Sequence, residues 1–419
     1  MYVVIFLSLF LGFFLLEFFI NWALDVLNQK TIEKNPEIPG FFRNLIDSEA
    51  YAKSQDYALA RLRFNKWQML YSNGITLVLL FSGILPWLQR ELTQSGLGLS
   101  LQGVIFFFSL FAVLGLLRFP LGLYNTFKIE GAFGFNRMTL KLYFSDTIKS
   151  IFLAILIGIP LLYAFLWFMN FSGTHWWLWV FVFLSLFQVI MIIIYPTLLA
   201  PLFNKFKSLE EGELKAELLK LAEKIKFPTR GVFVMDGSRR SGHSNAYFTG
   251  FGSMRRIVLF DTLITQMSVP EIKTVLCHEM GHYKKGHVYK MLLFNFILQG
   301  IGLYVLSLVI DWEPMYRSFG FQSSPQHLRH VGLFLFMTVA STFTFLLGPL
   351  FNYRSRKHEF EADSFAVEHS GSKAEMESAL LKLAEKNLSN LTPHPWYSAF
   401  HYSHPTVYER IKAIRHFGG

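Results

Sequence analysis

Trp176-Trp177-Leu178-Trp179-Val180-Phe181-Val182-Phe183-Leu184-Ser185-Leu186-Phe187-Gln188-Val189-Ile190-Met191-Ile192-Ile193-Ile194-Tyr195-Pro196-Thr197-Leu198-Leu199 contains no charged residue. About 20 apolar residues suffice for a helix to cross roughly 30 Å of hydrocarbon. Six further runs of this kind lie at 2–27, 67–88, 99–124, 151–171, 288–310 and 331–352, giving seven in all. The first is too long for a signal-peptide core and lacks a basic leader, so it reads as a retained span. The rest of the composition agrees. The chain is 52% hydrophobic, holds 46 Phe among 419 residues and is only 16% charged, where soluble domains carry about 25%.

Charge orients the spans. Lys30, Lys34, Arg43, Lys53, Arg61, Arg63 and Lys66 follow the first run, Lys128, Arg137 and Lys141 follow the third, and the tail after the seventh is basic. The opposite loops offer little beyond Arg90, Arg317 and Arg329. The positive-inside rule then predicts an N-terminus outside, with the 200–287 region and the C-terminus in the cytoplasm. The net charge of +10 is mostly this topological signal. Basic and aromatic residues do not interleave as they do in nucleic-acid binders, so that partner is excluded. Cys277 is the single cysteine, which rules out an intrachain disulfide and suits a reduced compartment. It reads as a small buried residue.

The chemistry sits in His278-Glu279-Met280-Gly281-His282. Residues i and i+4 share a helix face, so both imidazoles can hold one metal, and Glu279 lies beside that face as a general base. With 13 His and 29 acidic residues in the chain, fewer than about 0.03 such matches arise by chance. Ser268-Val269-Pro270-Glu271 reads as a capping box that starts the helix, and Gly286 as its terminator. Upstream, residues 209–226 place Leu214, Leu218, Leu221 and Ile225 at helical spacing. Residues 231–235, 245–251 and 256–260 read as strands of a small sheet, whose edge suits an extended peptide.

Zinc takes three protein ligands in catalytic sites and keeps a water. His287 follows five residues after His282 and is turned off the metal face. The metzincin pattern is excluded because Lys285 and Val288 stand where it requires Gly and His. The better source is Ser355-Arg356-Lys357-His358-Glu359-Phe360-Glu361-Ala362-Asp363. Glu359 and Asp363 share a helix face there, one able to reach the metal and the other to hold a ligand histidine. On spacing alone His358 and Glu361 compete. Glu17 and Arg118 lie inside apolar runs, where a charge faces an interior or finds a partner.

H-E-M-G-H with S-R-x-x-E-F-x-A-D resembles the integral-membrane zinc metallopeptidases of the CAAX prenyl protease type 1 family. Gly131-Ala132-Phe133-Gly134-Phe135-Asn136-Arg137, His243-Ser244-Asn245-Ala246-Tyr247-Phe248, Arg256-Ile257-Val258-Leu259-Phe260-Asp261, and Tyr402-Ser403-His404-Pro405 with Glu409-Arg410 extend the likeness. The resemblance implies His278, His282 and Glu359 as zinc ligands, one ion per chain, with Asp363 behind them. It implies Glu279 and His404 as catalytic groups, His404 donating to the oxyanion. Asn245 and Arg410 would bind substrate, Arg410 as a structural or carboxylate-contacting member of the same wall. It also implies seven helices around a water-filled chamber.

The expected fold is therefore mainly α, a seven-transmembrane-helix bundle with a small cytoplasmic α+β zincin-like catalytic domain. Its parts are 1–200 with five spans, 201–287 with the motif helix, 288–352 with spans six and seven, and 353–419 completing the zinc site. The expected partners are the bilayer and a peptide or protein substrate, prenylated or plain. A general membrane quality-control protease is the alternative enzyme. A seven-span transporter or receptor with a degenerate motif is the non-enzyme alternative.

Overall fold

The computed structural model describes residues 1–250, 255–370 and 372–417. Long helices come first: α1 (Tyr2–Lys34), α2 (Ser48–Phe81), α3 (Ile84–Gln94), α4 (Leu99–Tyr124), α5 (Leu140–Phe171), α6 (Trp176–Ile194) and the short α7 (Ala200–Phe203). A mixed segment follows, with β1 (Phe206–Ser208), α8 (Glu213–Lys224), β2 (Val232–Met235), β3 (Ala246–Thr249), β4 (Arg256–Phe260), α9 (Asp261–Gln266) and α10 (Val269–Lys284). The chain ends with α11 (His287–Val309), α12 (Glu313–Arg317), α13 (Arg329–Thr344), α14 (Gly348–Ser370), α15 (Lys373–Lys386), α16 (Pro395–His401) and α17 (Val407–His416).

Among the described residues, six helical stretches are long and apolar enough to cross a membrane, or seven if the bent pair α2 and α3 counts as one. That pair corrects the expected second span at 67–88, which is broken rather than straight. The helices meet at 51°, and Gly83 takes φ 81° at the break, a left-handed conformation that glycine adopts without a Cβ penalty. The last stretch, Arg329–Ser370, runs for 42 residues, about 63 Å if fully helical and roughly twice the hydrocarbon thickness. Its far half therefore projects beyond the apolar run and carries Glu359 and Asp363 out to meet α10.

Two large cores, with a small third cluster of Tyr57, Ile129, Phe135 and Leu388, hold the molecule. One gathers Phe10, Leu85, Phe106, Leu166, Trp176, Leu306, Tyr316 and Val331, residues from one set of span ends. The other gathers Leu218, Leu221, Ile257, Leu259, Leu276, Met280, Ala366, Leu380 and Ile411 around the sheet, α10, α14, α15 and α17. Between them the spans pack loosely. Not one residue is buried over 63–78, 111–128, 141–165, 181–199 or 288–302. A solid bundle would bury a stripe along each helix, and these stretches bury none. Glu17 is half-exposed and Arg118 exposed. They make no ion pair with each other among the described residues.

The sheet is four-stranded in the order β1-β2-β4-β3, with β2 and β4 parallel and the other pairs antiparallel. The strand expected at 245–251 is β3, shorter at both ends; Phe251 lies outside the described residues. β1 was not legible in the sequence, being three residues long. β3 forms one edge and packs against α10.

Candidate active site

The motif helix starts as its sequence dictates. The Ser268 N–H and hydroxyl both donate to Glu271 Oε2, at 2.8 and 2.9 Å, closing the capping box with Pro270 in the first turn. Glu271 also accepts from Ser378 at 2.5 Å and Lys382 at 2.7 Å, which ties the start of α10 to α15. Burial raises the Glu271 carboxyl, but Lys382, Ser378 and Ser268 outweigh it and bring it down to about 2. Seven residues after Glu271, His278 is buried, and four further on His282 is half-buried.

α14 crosses this helix closely enough to place Glu359 against both imidazoles. Nε2 of His278 and Nε2 of His282 are 3.2 Å apart. Glu359 Oε2 lies 3.4 Å from the first and Oε1 3.3 Å from the second. Taking one atom from each side chain, the three lie within 4.8 Å of one another, close enough to hold one metal ion. Two further observations fit a cation. Glu359 Oε2 is buried without a hydrogen-bond partner. And although burial pulls His278 down, the Asp363 and Glu359 carboxylates outweigh it and hold the imidazole up at about 9, which marks a pocket that favours positive charge.

Supporting groups surround the three. Asp363 Oδ1 is 2.8 Å from His278 Nδ1 and so fixes the ring by its far nitrogen. Arg410 grips the same carboxylate through Nε and Nη2, at 2.8 and 2.5 Å. Arg410 had been expected in the substrate wall. Its guanidinium is largely buried against Asp363, so the carboxylate it contacts belongs to the chain itself. Burial pushes the Glu279 carboxyl up, against the pull of His278 and His282. His404 is mostly exposed and brings Nε2 to 3.4 Å from Glu359 Oε1, reaching in from the open side. Asn245 is exposed at the start of the edge strand, its Oδ1 accepting from the Ala246 N–H at 2.8 Å.

His358 and Glu361, which spacing alone left as rival ligands, stand outside the converging set. Other contributors were not foreseen. Arg356 donates to the carbonyls of Ser398, Ala399 and Tyr402, at 3.4, 3.3 and 2.8 Å, and so caps α16 beside the His404 loop. The 131–137 block clamps the loop before Asn245: Phe135 stacks on His243 with ring centres 3.8 Å apart, and its carbonyl accepts from the Gly242 N–H at 2.9 Å. His243 in turn meets Asn387 at 3.1 Å and Glu130 at 3.4 Å. Both blocks were conspicuous in the sequence; that they touch is a tertiary fact.

Comparison with known proteins agrees over the whole chain. Residues 28–205 match the family model described as CAAX prenyl protease N-terminal, five membrane helices, and residues 208–417 match peptidase family M48. A CAAX prenyl protease 1 homolog of Arabidopsis thaliana is 36% identical, over 98% of this chain and 97% of its own. CAAX prenyl protease 1 of Saccharomyces cerevisiae is 35% identical, over 90% of this chain and 88% of its own. The crystal structure of S. mikatae Ste24p superposes with a TM-score of 0.91 at 32% identity, covering 99% of both chains.

Proposed function

We propose, for a chain that belongs to peptidase family M48 and is an integral-membrane, multi-pass metallopeptidase resembling CAAX prenyl protease 1, that its metal is zinc, held by His278, His282 and Glu359. The observation that carries this reading is the convergence of those three side chains within reach of one ion. Zinc bound there would act as a Lewis acid and lower the pKa of a water to about 7. Glu279 takes the proton of the attacking water and returns it to the leaving amine. His404 donates to the oxyanion of the tetrahedral intermediate, a role worth about 2.7–4 kcal/mol of barrier in comparable sites. Asn245 and the free edge of β3 pin the substrate backbone in an extended form, because an Asn side chain offers both a donor and an acceptor. Asp363 and Arg410 hold His278 in place.

The substrate we infer is a prenylated protein cleaved near its C-terminus, as the names of the relatives suggest. The loop charges support an N-terminus outside and a site facing the cytoplasm. In this reading 1–200 and 288–352 are the membrane parts, and 201–287 with 353–419 supply the site. Glu279→Gln should keep zinc and lose peptide cleavage; appreciable remaining proteolysis sinks the assignment of the base. Glu359→Ala should deplete zinc, and a full complement redirects the third ligand to His358 or Glu361. Matched prenylated and plain peptides, compared in detergent, test the substrate. Equal rates would favour membrane quality control.

A further inference from the structure

We propose that His287 and Glu361 form a hydrogen-bond relay that fixes the tautomer and orientation of His282, making them positioning residues for the metal site. This rests on His278, His282 and Glu359 being the ligands. An imidazole that binds metal through Nε2 carries its proton on Nδ1, and that N–H needs an acceptor. For His278 the acceptor is Asp363, at 2.8 Å. For His282, the partner at Nδ1 is Nδ1 of His287, at 3.0 Å. His287 Nε2 then lies 3.0 Å from Glu361 Oε2.

The proton count leaves one arrangement. With Nε2 of His282 given to the metal, Nδ1–H of His282 donates to a bare Nδ1 on His287. His287 must then carry its own hydrogen on Nε2, where it donates to Glu361. Every nitrogen in the chain is used once and both rings are neutral. Reversal would place the hydrogen of His282 on Nε2, against His278 and Glu359, and abolish it as a ligand. A doubly protonated His287 would set N–H against N–H.

The backbone makes this possible. On a continuous helix, a residue five positions after His282 is turned about 140° away. Here Gly286 takes φ 70°, α10 stops and α11 begins at once, so His287 swings back under His282. His287 is buried, and His358 stacks on it with ring centres 4.1 Å apart and planes 8° from parallel, which fixes the imidazole plane. His358 and Glu361, the two rival ligands of the sequence reading, thus serve the residue next to the ligand.

The test uses the full-length protein loaded with one zinc in detergent, then challenged with excess chelator while released zinc is followed. His287→Phe keeps a ring and removes both hydrogen bonds. It should release zinc about 10–100-fold faster than wild type. His287→Gln can accept and donate through its amide, and should recover most of the retention, a rescue that mere packing would not give. If His287→Phe does not fold, Glu361→Leu, at a partly exposed side chain, is read in the same assay and should also speed release. Wild-type release from a folded His287→Phe, or from Glu361→Leu, overturns the relay. Failure of the ligand reading looks different, because Glu359→Ala would then keep its zinc.

Discussion

Asp363 accepts from three nitrogens at once, Nδ1 of His278 and Nε and Nη2 of Arg410. The arginine offsets part of the carboxylate's charge and fixes its plane. Asp363→Asn keeps the shape but removes the charge, and should weaken zinc retention about 10–100-fold in a chelator competition. Retention at the wild-type level would remove Asp363 from that role. Glu271 gives a second test, this one in pH. Its carboxyl is held at about 2, below the usual 4.5, despite the opposing effect of burial. A depressed carboxyl contributes stability that is present above 4.5 and lost as pH falls toward 2. Glu271→Gln should therefore lower stability at pH 7 by about 1.5–3 kcal/mol, and thermal scans should show its gap to wild type closing between pH 4.5 and 2. At this scale the sequence was informative where the contacts are local. His278, Glu279, His282 and the Ser268–Glu271 box all lie within one helix, where spacing fixes direction. His358, Glu359 and Glu361 looked alike because only the approach of α14 to α10 decides which of them meets the two imidazoles.

That approach depends on Gly281. A Cβ built there would stand 3.1 Å from Phe365 Cδ1 and 3.2 Å from both the Cα and carbonyl oxygen of Ala362. Two of these atoms are backbone, so α14 itself would have to move. Gly281→Ala should cost about 1–3 kcal/mol, and Gly281→Val should also lose zinc because Glu359 retreats with its helix. Metal analysis of the folded fraction checks this. α16 poses a parallel case. Arg356 is three residues from Glu359 on α14 and binds the last carbonyls of α16, just before the loop that presents His404. One guanidinium thus sets the loop of His404, the proposed oxyanion donor, relative to Glu359, the proposed metal ligand. Arg356→Ala should leave zinc untouched and reduce kcat by about 100-fold, the cost of misplacing a catalytic group by about 1 Å. All three carbonyls accept from the single nitrogen Nη1, so Arg356→Lys, whose ammonium also carries several donors on one nitrogen, should restore part of the rate. The helices themselves were readable from apolar run length and capping. Their ends were not: α5 begins at Leu140 and α14 extends to Ser370, since polar turns prolong a helix without changing its hydropathy signal.

In the whole molecule, the two large cores lie at opposite ends of the spans and the stretches between them bury no residue. Composition could announce the spans but not the space between them, because lipid-facing and lumen-facing positions are both written in apolar residues. Glu17 is one of the few exceptions, a carboxyl in the middle of α1. Phe19 follows two residues later, about 200° round the helix, and is 61% exposed. If the spans surround water, one of these faces is wet and the other meets lipid, and the carboxyl belongs on the wet one. The background suits a thiol experiment. Cys277 is the single cysteine, fully buried, and burial pushes its thiol up to about 12, which leaves almost no reactive thiolate. In intact membranes, Glu17→Cys should react with a small, water-soluble maleimide, while Phe19→Cys and the unmodified chain should not. Labelling of Phe19→Cys alone would put lipid on the Glu17 side. An inert Glu17→Cys in a protein that still cleaves peptide would mean the bundle is closed at that level, with the substrate path confined to the end that holds the metal.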